Sequence, residues 1–201
     1  MRLYKWIFVS LLLVPLAILV WLLFHEGMGA QPSEKMNHEL GRLTYRYLAV
    51  NLIWGGLLAL DWVPRFLRRF TPLRRHLGVI TFFYASLHMI FYLLKEGDIP
   101  LALEQIPTKL YLILGMTSLL ILLVLAITSN NWGVRRLKNK WKPLHRLAYL
   151  AIVLATVHYF LIEKKDWRVT LPFLIPWLVL MGIRGLKALS RKSTLSIKRV
   201  Q

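Results

Sequence analysis

The sequence lacks cysteine altogether and has few acidic residues. Without cysteine the chain cannot form a disulfide, a cysteine-ligated zinc or iron–sulfur site, or the C-x-x-C-H attachment of a c-type haem. Only 9 of its 201 residues are Asp or Glu, against 27 Lys or Arg, and the formal net charge is +18. It also lacks a glycine-rich nucleotide loop and a polar segment long enough for a nucleotide-binding domain. Any chemistry that uses NAD(P)H is therefore expected to need another polypeptide.

Apolar residues, by contrast, are abundant and make up 57% of the chain, against roughly 45–50% in a soluble domain. This composition excludes a disordered basic tail. It also disfavours a soluble nucleic-acid-binding protein, which keeps a basic surface over a small core. Long apolar runs separated by basic clusters are typical of an integral membrane protein.

Six apolar runs are each about 20 residues long, which is the length needed to cross the hydrocarbon core of a bilayer as a helix. The first run exceeds the usual apolar length of a signal peptide, so we interpret it as a retained anchor. The sequence predicts an all-α fold, a polytopic six-helix transmembrane bundle forming one domain over 1–201. The predicted spans are 6–24, 45–63, 77–94, 110–128, 144–162 and 170–187.

Basic residues are distributed unevenly between the two sides of these spans. The side that holds the N-terminus, residues 64–76, residues 129–143 and the tail from Arg184 carries 18 of them, and the other side carries eight. By the positive-inside rule both termini are cytoplasmic. Topology and anionic membrane lipid explain the net charge, and no nucleic acid partner is needed.

Four of the six histidines lie in or beside the third and fifth predicted spans, which both run outward from the cytoplasmic face. His76 and His145 lie near the inner edge, and His88 and His158 follow 12 and 13 residues later. That separation is about 18–20 Å along a helix. If the two spans pack side by side, His88 faces His158 and His76 lies near His145. Each facing pair could supply both axial ligands of a b-type haem iron, giving one or two haems.

The alternative for any of these histidines is a hydrogen bond to a neighbouring helix. The inner pair also has an orientation problem, because 13 residues place His158 about 140° away from the face of His145 on a straight helix. An inner site at His145 therefore requires irregular backbone at the start of the fifth span. His25 and His38 fall in the outer segment, where we expect surface residues or a site at the outer mouth.

Three arginines adjoin the inner histidines, namely Arg74, Arg75 and Arg146. Arginine suits anionic groups such as haem propionates or a flavin phosphate. The alternative is ordinary cytoplasmic charge, which accounts for most of this cluster. Arg146 is the exception, because it lies inside the apolar pattern.

Several ordered segments resemble a known family, the MsrQ/YedZ family of haem-binding membrane subunits in the periplasmic methionine-sulfoxide reductase system. This family belongs to the ferric-reductase-like transmembrane group, together with the membrane part of NADPH oxidases. The resemblance covers nearly the whole chain, including the outer segment from Gly27 to Pro32. Its main segments are Arg74-Arg75-His76-Leu77-Gly78, Leu87-His88-Met89-Ile90-Phe91-Tyr92, Leu125-Ala126-Ile127-Thr128-Ser129, Leu144-His145-Arg146-Leu147-Ala148-Tyr149 and Val157-His158-Tyr159.

The resemblance implies haem b, FMN and a multi-pass position in the bacterial inner membrane. It implies electrons from the quinone pool or a cytoplasmic flavin reductase. These would pass to a periplasmic, molybdopterin-dependent methionine-sulfoxide reductase, the catalytic subunit of a heterodimer that repairs oxidised proteins. The family's haem ligands correspond to His88, His145 and His158. His76 departs from the family pattern, in which that position is often apolar and a nearby arginine, here Arg74 or Arg75, is invoked.

Three functions remain open on the sequence. The first is an electron-transfer subunit that carries no catalytic residue for sulfoxide reduction. The second is a ferric- or quinone-linked reductase of the same fold with another acceptor. The third is a non-redox transporter or scaffold, which would favour an acidic residue within a span. Only Asp61 approaches that condition, and Arg65 one turn later is its expected partner.

Overall fold

The computed structural model describes residues 3–25, 28–58, 60, 63–162, 168 and 170–200. Asp61 lies outside the described residues, and its expected pairing with Arg65 therefore stays a prediction. Throughout the described ranges the regular elements are all helices. They are α1 (Leu3–Phe24), α2 (Pro32–Leu58), α3 (Arg65–Arg68), α4 (Leu73–Glu96), α5 (Ile99–Gln105), α6 (Leu110–Ile127), α7 (Asn131–Leu137), a 3-10 turn (Lys138–Lys140), α8 (Trp141–His145), α9 (Leu147–Ile162) and α10 (Leu171–Val200).

Three helices, α1, α4 and α6, are long and apolar enough to cross a membrane. A fourth candidate is the bent pair formed by Asn131–His145 and Leu147–Ile162. These correspond to the predicted spans 6–24, 77–94, 110–128 and 144–162. The remaining two predicted spans overlap the second half of α2 and the first half of α10, and their membrane crossing stays a prediction.

Helix α2 is longer than the sequence led us to expect. The predicted second span begins at residue 45, but the helix in the structure runs without a break from Pro32 to Leu58. The reason is a continuous buried face, because Met36, Leu40, Leu48 and Leu52 recur at helical spacing across the expected boundary. Residues 32–44 therefore belong to the helical core.

Four helices form the central bundle. Around it, α2 packs on α4, α4 on α6, α6 on α9, and α9 on α2. Helices α4 and α9 lie on a diagonal, with at most marginal direct contact, so the expected side-by-side packing is wrong. The diagonal leaves space between the two histidine-bearing helices, and that space contains the first site described below.

Helix α1 is joined to the bundle through two tyrosine hydroxyls. Tyr47 of α2 and Tyr84 of α4 each donate to the carbonyl of Leu12, at 2.8 Å in both cases. The Tyr84 oxygen in turn accepts from the amide of Leu16 at 3.2 Å. Tyr84 thus completes the helical hydrogen bonding of α1 beside Pro15, which has no amide proton to donate.

The backbone is irregular where the fifth predicted span begins. Helix α8 ends at His145, α9 begins at Leu147, and the pair is bent by 41°. Pro143 lies in the first turn of α8, where its missing amide proton costs no helical hydrogen bond. Because the helix is broken at Arg146, the direction in which the His145 side chain points does not depend on the face of α9 that carries His158.

Cysteine labelling tests the predicted topology, because the natural chain has no cysteine to interfere. Asn139→Cys lies in the exposed basic segment after α7, and Glu104→Cys lies on exposed α5. In oriented cells we expect a membrane-impermeant maleimide to label Glu104→Cys from outside, and Asn139→Cys only after lysis. Leu120→Cys, exposed in the middle of α6, is the control that should resist this polar reagent in both cases. Labelling of Asn139→Cys from outside would reverse the orientation.

Candidate functional site

A cavity of about 380 Å³ lies at the centre of the four-helix bundle, towards the end that the distribution of basic residues predicts to be the outer one; it is called the outer cavity below, and the opposite end the inner end. His88 of α4 and His158 of α9 face each other across it from the two diagonal helices. Their ring centroids are 6.2 Å apart and the ring planes are nearly perpendicular, at 83°. The outer cavity therefore has an imidazole on each of two opposite walls.

The protonation pattern of both rings follows from their hydrogen bonds. Nδ1 of His88 lies 2.9 Å from the carbonyl oxygen of Asn37 in α2, and Nδ1 of His158 lies 2.6 Å from that of Tyr111 in α6. A carbonyl oxygen can only accept, so each Nδ1 carries the proton and donates it. Each Nε2 is then left with a lone pair, which is the form of imidazole that ligates a metal.

A glycine lies behind each histidine ring, four residues after the accepting carbonyl. A Cβ at Gly41 would come within 3.0 Å of His88, and a Cβ at Gly115 within 2.7 Å of His158. The second distance is shorter than real side chains tolerate, so an alanine there would displace the ring. Helix α2 thus supplies a carbonyl that orients the His88 ring and a glycine that leaves room for it. Helix α6 supplies the same two features to His158.

The spacing of the two rings fits a single metal ion between them. Two metal–imidazole bonds of about 2 Å, plus about 1 Å from each nitrogen to its ring centre, add up to about 6 Å. Within the described residues no group of three or more His, Cys, Asp or Glu could hold a metal ion. A metal with only these two protein ligands needs the rest of its coordination sphere from elsewhere, and a porphyrin supplies four nitrogens of that kind. The residues present therefore fit a haem.

A second, larger cavity of about 700 Å³ lies at the inner end of the bundle. It collects the two inner histidines and the arginines that the sequence singled out, and the described residues of its wall include no acid. The basic and imidazole side chains of this inner cavity are Lys5, Arg74, Arg75, His76, Lys142, His145 and Arg146. A cavity with such a wall favours an anionic occupant.

The inner histidines differ from the outer pair in their hydrogen bonds. The Thr128 hydroxyl donates to the carbonyl of Val124 at 2.7 Å, so it accepts from Nε2 of His145, 3.1 Å away. The His145 ring is also stacked on Trp141, at a centroid distance of 4.0 Å. In this arrangement Nδ1 of His145 keeps the lone pair. His76 donates from Nδ1 to the Pro72 carbonyl at 3.2 Å and keeps its lone pair on Nε2.

Arg74 is fixed between helices rather than extended into solution. Its Nε lies 3.2 Å from the side-chain oxygen of Asn51, and the Asn51 amide donates back to the Arg74 carbonyl at 3.0 Å. The guanidinium occupies the space that a side chain at Gly55 would fill. Arg75, by contrast, donates to Asn131 near the surface at 2.9 Å.

The two remaining histidines separate into different environments. His38 lines the outer cavity and lies 3.9 Å from Glu34, so it belongs to the outer mouth. His25 donates from Nδ1 to the Trp21 carbonyl at 2.8 Å and stacks on the Trp21 ring in an exposed position, so it is a surface residue.

Comparison with known proteins agrees with this architecture. The family described as the ferric-reductase-like transmembrane component matches residues 40–156, which include α4, α6 and most of α2 and α9; the match ends two residues before His158. A protein of Agrobacterium fabrum is 33% identical over 175 residues, covering 86% of this chain and 77% of that relative. The chain belongs to the MsrQ family. It is thus a member of the ferric-reductase-like transmembrane group.

A second relative, from Brucella anthropi, is 34% identical over 164 residues, covering 81% of this chain and 72% of the relative. Both relatives carry the name protein-methionine-sulfoxide reductase heme-binding subunit MsrQ. The family match begins at Leu40, so it also includes the helix turn of α2 that lies behind His88.

Sequence reasoning missed the glycines and carbonyls that orient the outer histidines. Carbonyl acceptors leave no trace in residue type, so Asn37 and Tyr111 were not identifiable. The glycines did leave a signal, because Gly41 and Gly115 are isolated helical glycines at the depth of the outer histidines. Glycine in a helix interior is unfavourable by about 0.5–1 kcal/mol relative to alanine, which points to a packing reason.

Alanine substitutions at two helical glycines should have opposite effects on stability. Gly182→Ala meets open space, so we expect it to stabilise the protein by about 0.5–1 kcal/mol through helix propensity. Gly115→Ala forces the His158 ring off its carbonyl, and we expect a loss of about 1–3 kcal/mol, as for overpacking elsewhere. Thermal unfolding in detergent measures both.

The control for Gly115→Ala is the same substitution combined with His158→Ala. With the ring removed, the added methyl group has room, and Gly115→Ala should then be neutral or stabilising. Equal destabilisation by Gly115→Ala in both backgrounds would show that the glycine does not serve to make room for the His158 ring.

Proposed function

We propose that this chain is a membrane haem b electron-transfer subunit that delivers electrons to a protein-methionine-sulfoxide reductase. The arrangement of His88 and His158 carries the proposal, because their ring centroids are 6.2 Å apart across the outer cavity, a separation that fits one iron between them. The names of the relatives support both the haem and the partner. The haem supplies one-electron redox chemistry when bound; this chain supplies no catalytic residue for sulfoxide reduction.

The protein's own residues bind and orient the cofactor in this proposal. His88 and His158 would ligate the iron through Nε2, and the carbonyls of Asn37 and Tyr111 hold both rings in that tautomer. These hydrogen bonds also make the imidazoles more basic ligands. The diagonal placement of α4 and α9 keeps the outer cavity open to a planar group while the surrounding helices exclude water.

The inner cavity is the proposed location of a second cofactor. His145 would be one ligand of a second haem, through Nδ1 as it stands or through Nε2 if the Thr128 hydrogen bond is released. His76, Arg74 and Arg75 are the candidates for the opposite side. Arg146 and Lys142 would hold anionic groups, either haem propionates or the phosphate of the FMN that the family resemblance implies.

The basic wall of the inner cavity supports a proposal for the direction of electron transfer. The inner cavity has an acid-free basic wall among its described residues, which favours an anionic flavin or an acidic donor surface. We propose that electrons enter there, from the quinone pool or a cytoplasmic flavin reductase. They leave at the outer end, to a periplasmic molybdopterin-dependent reductase that repairs oxidised methionine, with the chain residing in the bacterial inner membrane.

Replacing either outer histidine should remove most of the low-spin b-haem absorbance of the purified protein. Nε2 of each ring is one of only two protein ligands, so His88→Ala and His158→Ala each leave the iron with a single one. His25→Ala is the matched control, because His25 contacts only its own helix through Trp21. Absorbance and haem-to-protein ratio are measured together with membrane insertion.

His145→Ala belongs in the same series. If an inner haem exists, this variant lowers the haem-to-protein ratio and keeps the outer low-spin signal. Full haem retention in both His88→Ala and His158→Ala would refute the outer site. A protein that never shows a Soret band would instead favour the non-redox transporter or scaffold.

Electron delivery across the membrane can be tested in proteoliposomes with the basic face inward. A flavin reductase, FMN and NADH are enclosed, and the methionine-sulfoxide reductase is placed outside with an oxidised protein. We expect NADH oxidation to depend on the external sulfoxide and to be abolished by His88→Ala. His25→Ala should leave the rate unchanged.

Two outcomes would change the assignment of the acceptor. Haem that is reduced from inside but is not reoxidised by the external reductase contradicts the proposed partner. Reoxidation by external ferric chelate or quinone alone would then support the alternative, a ferric- or quinone-linked reductase, which the ferric-reductase-like family match favours.

A further inference from the structure

Two cationic side chains line the outer cavity, Arg42 in α2 and Lys95 in the last turn of α4. No Asp or Glu is among the described residues that line it. Arg42 directly follows Gly41, and Lys95 lies seven residues beyond His88 in the outward direction. Lys95 therefore lies on the outer side of His88, whereas Arg42, one residue inward of Gly41 along α2, lies at the level of the His88 ring.

A buried hydroxyl in the same cavity lacks a hydrogen-bond partner. Tyr92 is only 8% exposed, it lines the cavity, and its hydroxyl has no partner among the described residues. Buried polar groups are almost always hydrogen-bonded, so an orphan of this kind needs an explanation. Tyr92 lies one turn beyond His88 and three residues before Lys95, hence on the same face of α4 as both.

The two cations and the hydroxyl together indicate which chemical group would bind at this place. A phenolic hydroxyl, a guanidinium and an ammonium are all hydrogen-bond donors, and the two cations prefer a carboxylate or phosphate. The Arg42 guanidinium already donates from Nη1 to Glu39 at 2.7 Å. A guanidinium has five donors, so it can bridge Glu39 and a second carboxylate. Lys95 lies 3.7 Å from Glu96.

We propose that Arg42, Tyr92 and Lys95 form a carboxylate-binding subsite that takes the propionate groups of the outer porphyrin. This inference rests on the proposed function and adds an orientation to it. The propionate edge is directed to the outer face, and the apolar edge of the macrocycle lies towards the core residues Leu119 and Leu122, which also line the cavity. Within this subsite the three side chains are positioning residues, while the histidines alone ligate iron.

The subsite has two measurable consequences. Charge-assisted hydrogen bonds to the propionates slow haem loss, so removing one should speed it by about three- to ten-fold. Removing a cation near the iron also favours the more positive ferric state, so the midpoint potential of the outer haem should fall in Arg42→Gln and Lys95→Gln. Tyr92→Phe changes no charge, so it should speed haem loss with a smaller effect on the potential.

The test uses the full-length protein in detergent, with a haem-scavenging apoprotein to follow haem loss and a redox titration for the potential. Lys109→Gln is the matched control, because Lys109 is an exposed outer lysine that does not line the cavity. The low-spin spectrum should survive in all four variants, since both axial histidines are retained. Haem-loss rates and potentials equal to those of the unmodified protein in all three subsite variants would overturn the proposal.

A second measurement does not depend on the variants. Membranes containing the unmodified protein without haem are supplied with iron protoporphyrin IX or with its dimethyl ester, which has no free carboxylates. We expect the free acid to bind more tightly, by about ten-fold or more. Equal binding, with the same low-spin spectrum, would refute the subsite and leave the haem assignment intact. Failure of both porphyrins to give a low-spin spectrum would refute the proposed function itself.

Discussion

An imidazole placed inside a membrane bundle must satisfy its ring proton, because lipid offers no hydrogen-bond acceptor. Here the acceptors are backbone carbonyls, those of Asn37 and Tyr111, on helices other than the ones that carry the histidines. A ring can lie close against a helix carbonyl more readily where the residue one turn later has no side chain. Gly41 and Gly115 meet that need. The outer site thus requires all four central helices at fixed separations, two for ligands and two for acceptors.

This requirement explains the diagonal arrangement. Had α4 and α9 packed side by side, as the matching depths of their histidines suggested, no helix would stand behind each ring to accept its proton. Placing them on the diagonal puts α2 behind His88 and α6 behind His158. It also opens the space in which a planar cofactor fits between the rings. The tyrosine junction of α1 and the packing of Leu180 in α10 against Gly56 surround this core from outside.

Depth was predictable from the sequence and lateral position was not. Counting residues along a helix gives the height of His88 relative to His76, and hydrophobic run lengths gave helix bounds close to those of α1, α4 and α6. Which helices are neighbours depends on side-chain packing between segments far apart in sequence, and periodicity carries no such information. The same reasoning predicted an irregular backbone at the start of the fifth span, where the structure has its break at Arg146. The same reasoning did not predict that α2 continues without a break, because charged residues interrupt the apolar run in the sequence. The buried face of the helix nevertheless continues past them.

The number of basic residues at the inner end does not show whether they set the membrane topology or bind a ligand. The positive-inside rule and an anionic ligand both predict positive charge at that end. Position resolves part of the ambiguity. Arg74 and Arg75 both line the inner cavity. Arg75 is bonded to Asn131 at the surface, where the positive-inside rule already accounts for a cation. Arg74 is held between two helices by Asn51. A cation held there is unfavourable unless an anion shares the cavity. Arg74 is thus the inner cation that topology explains least and an anionic cofactor explains best.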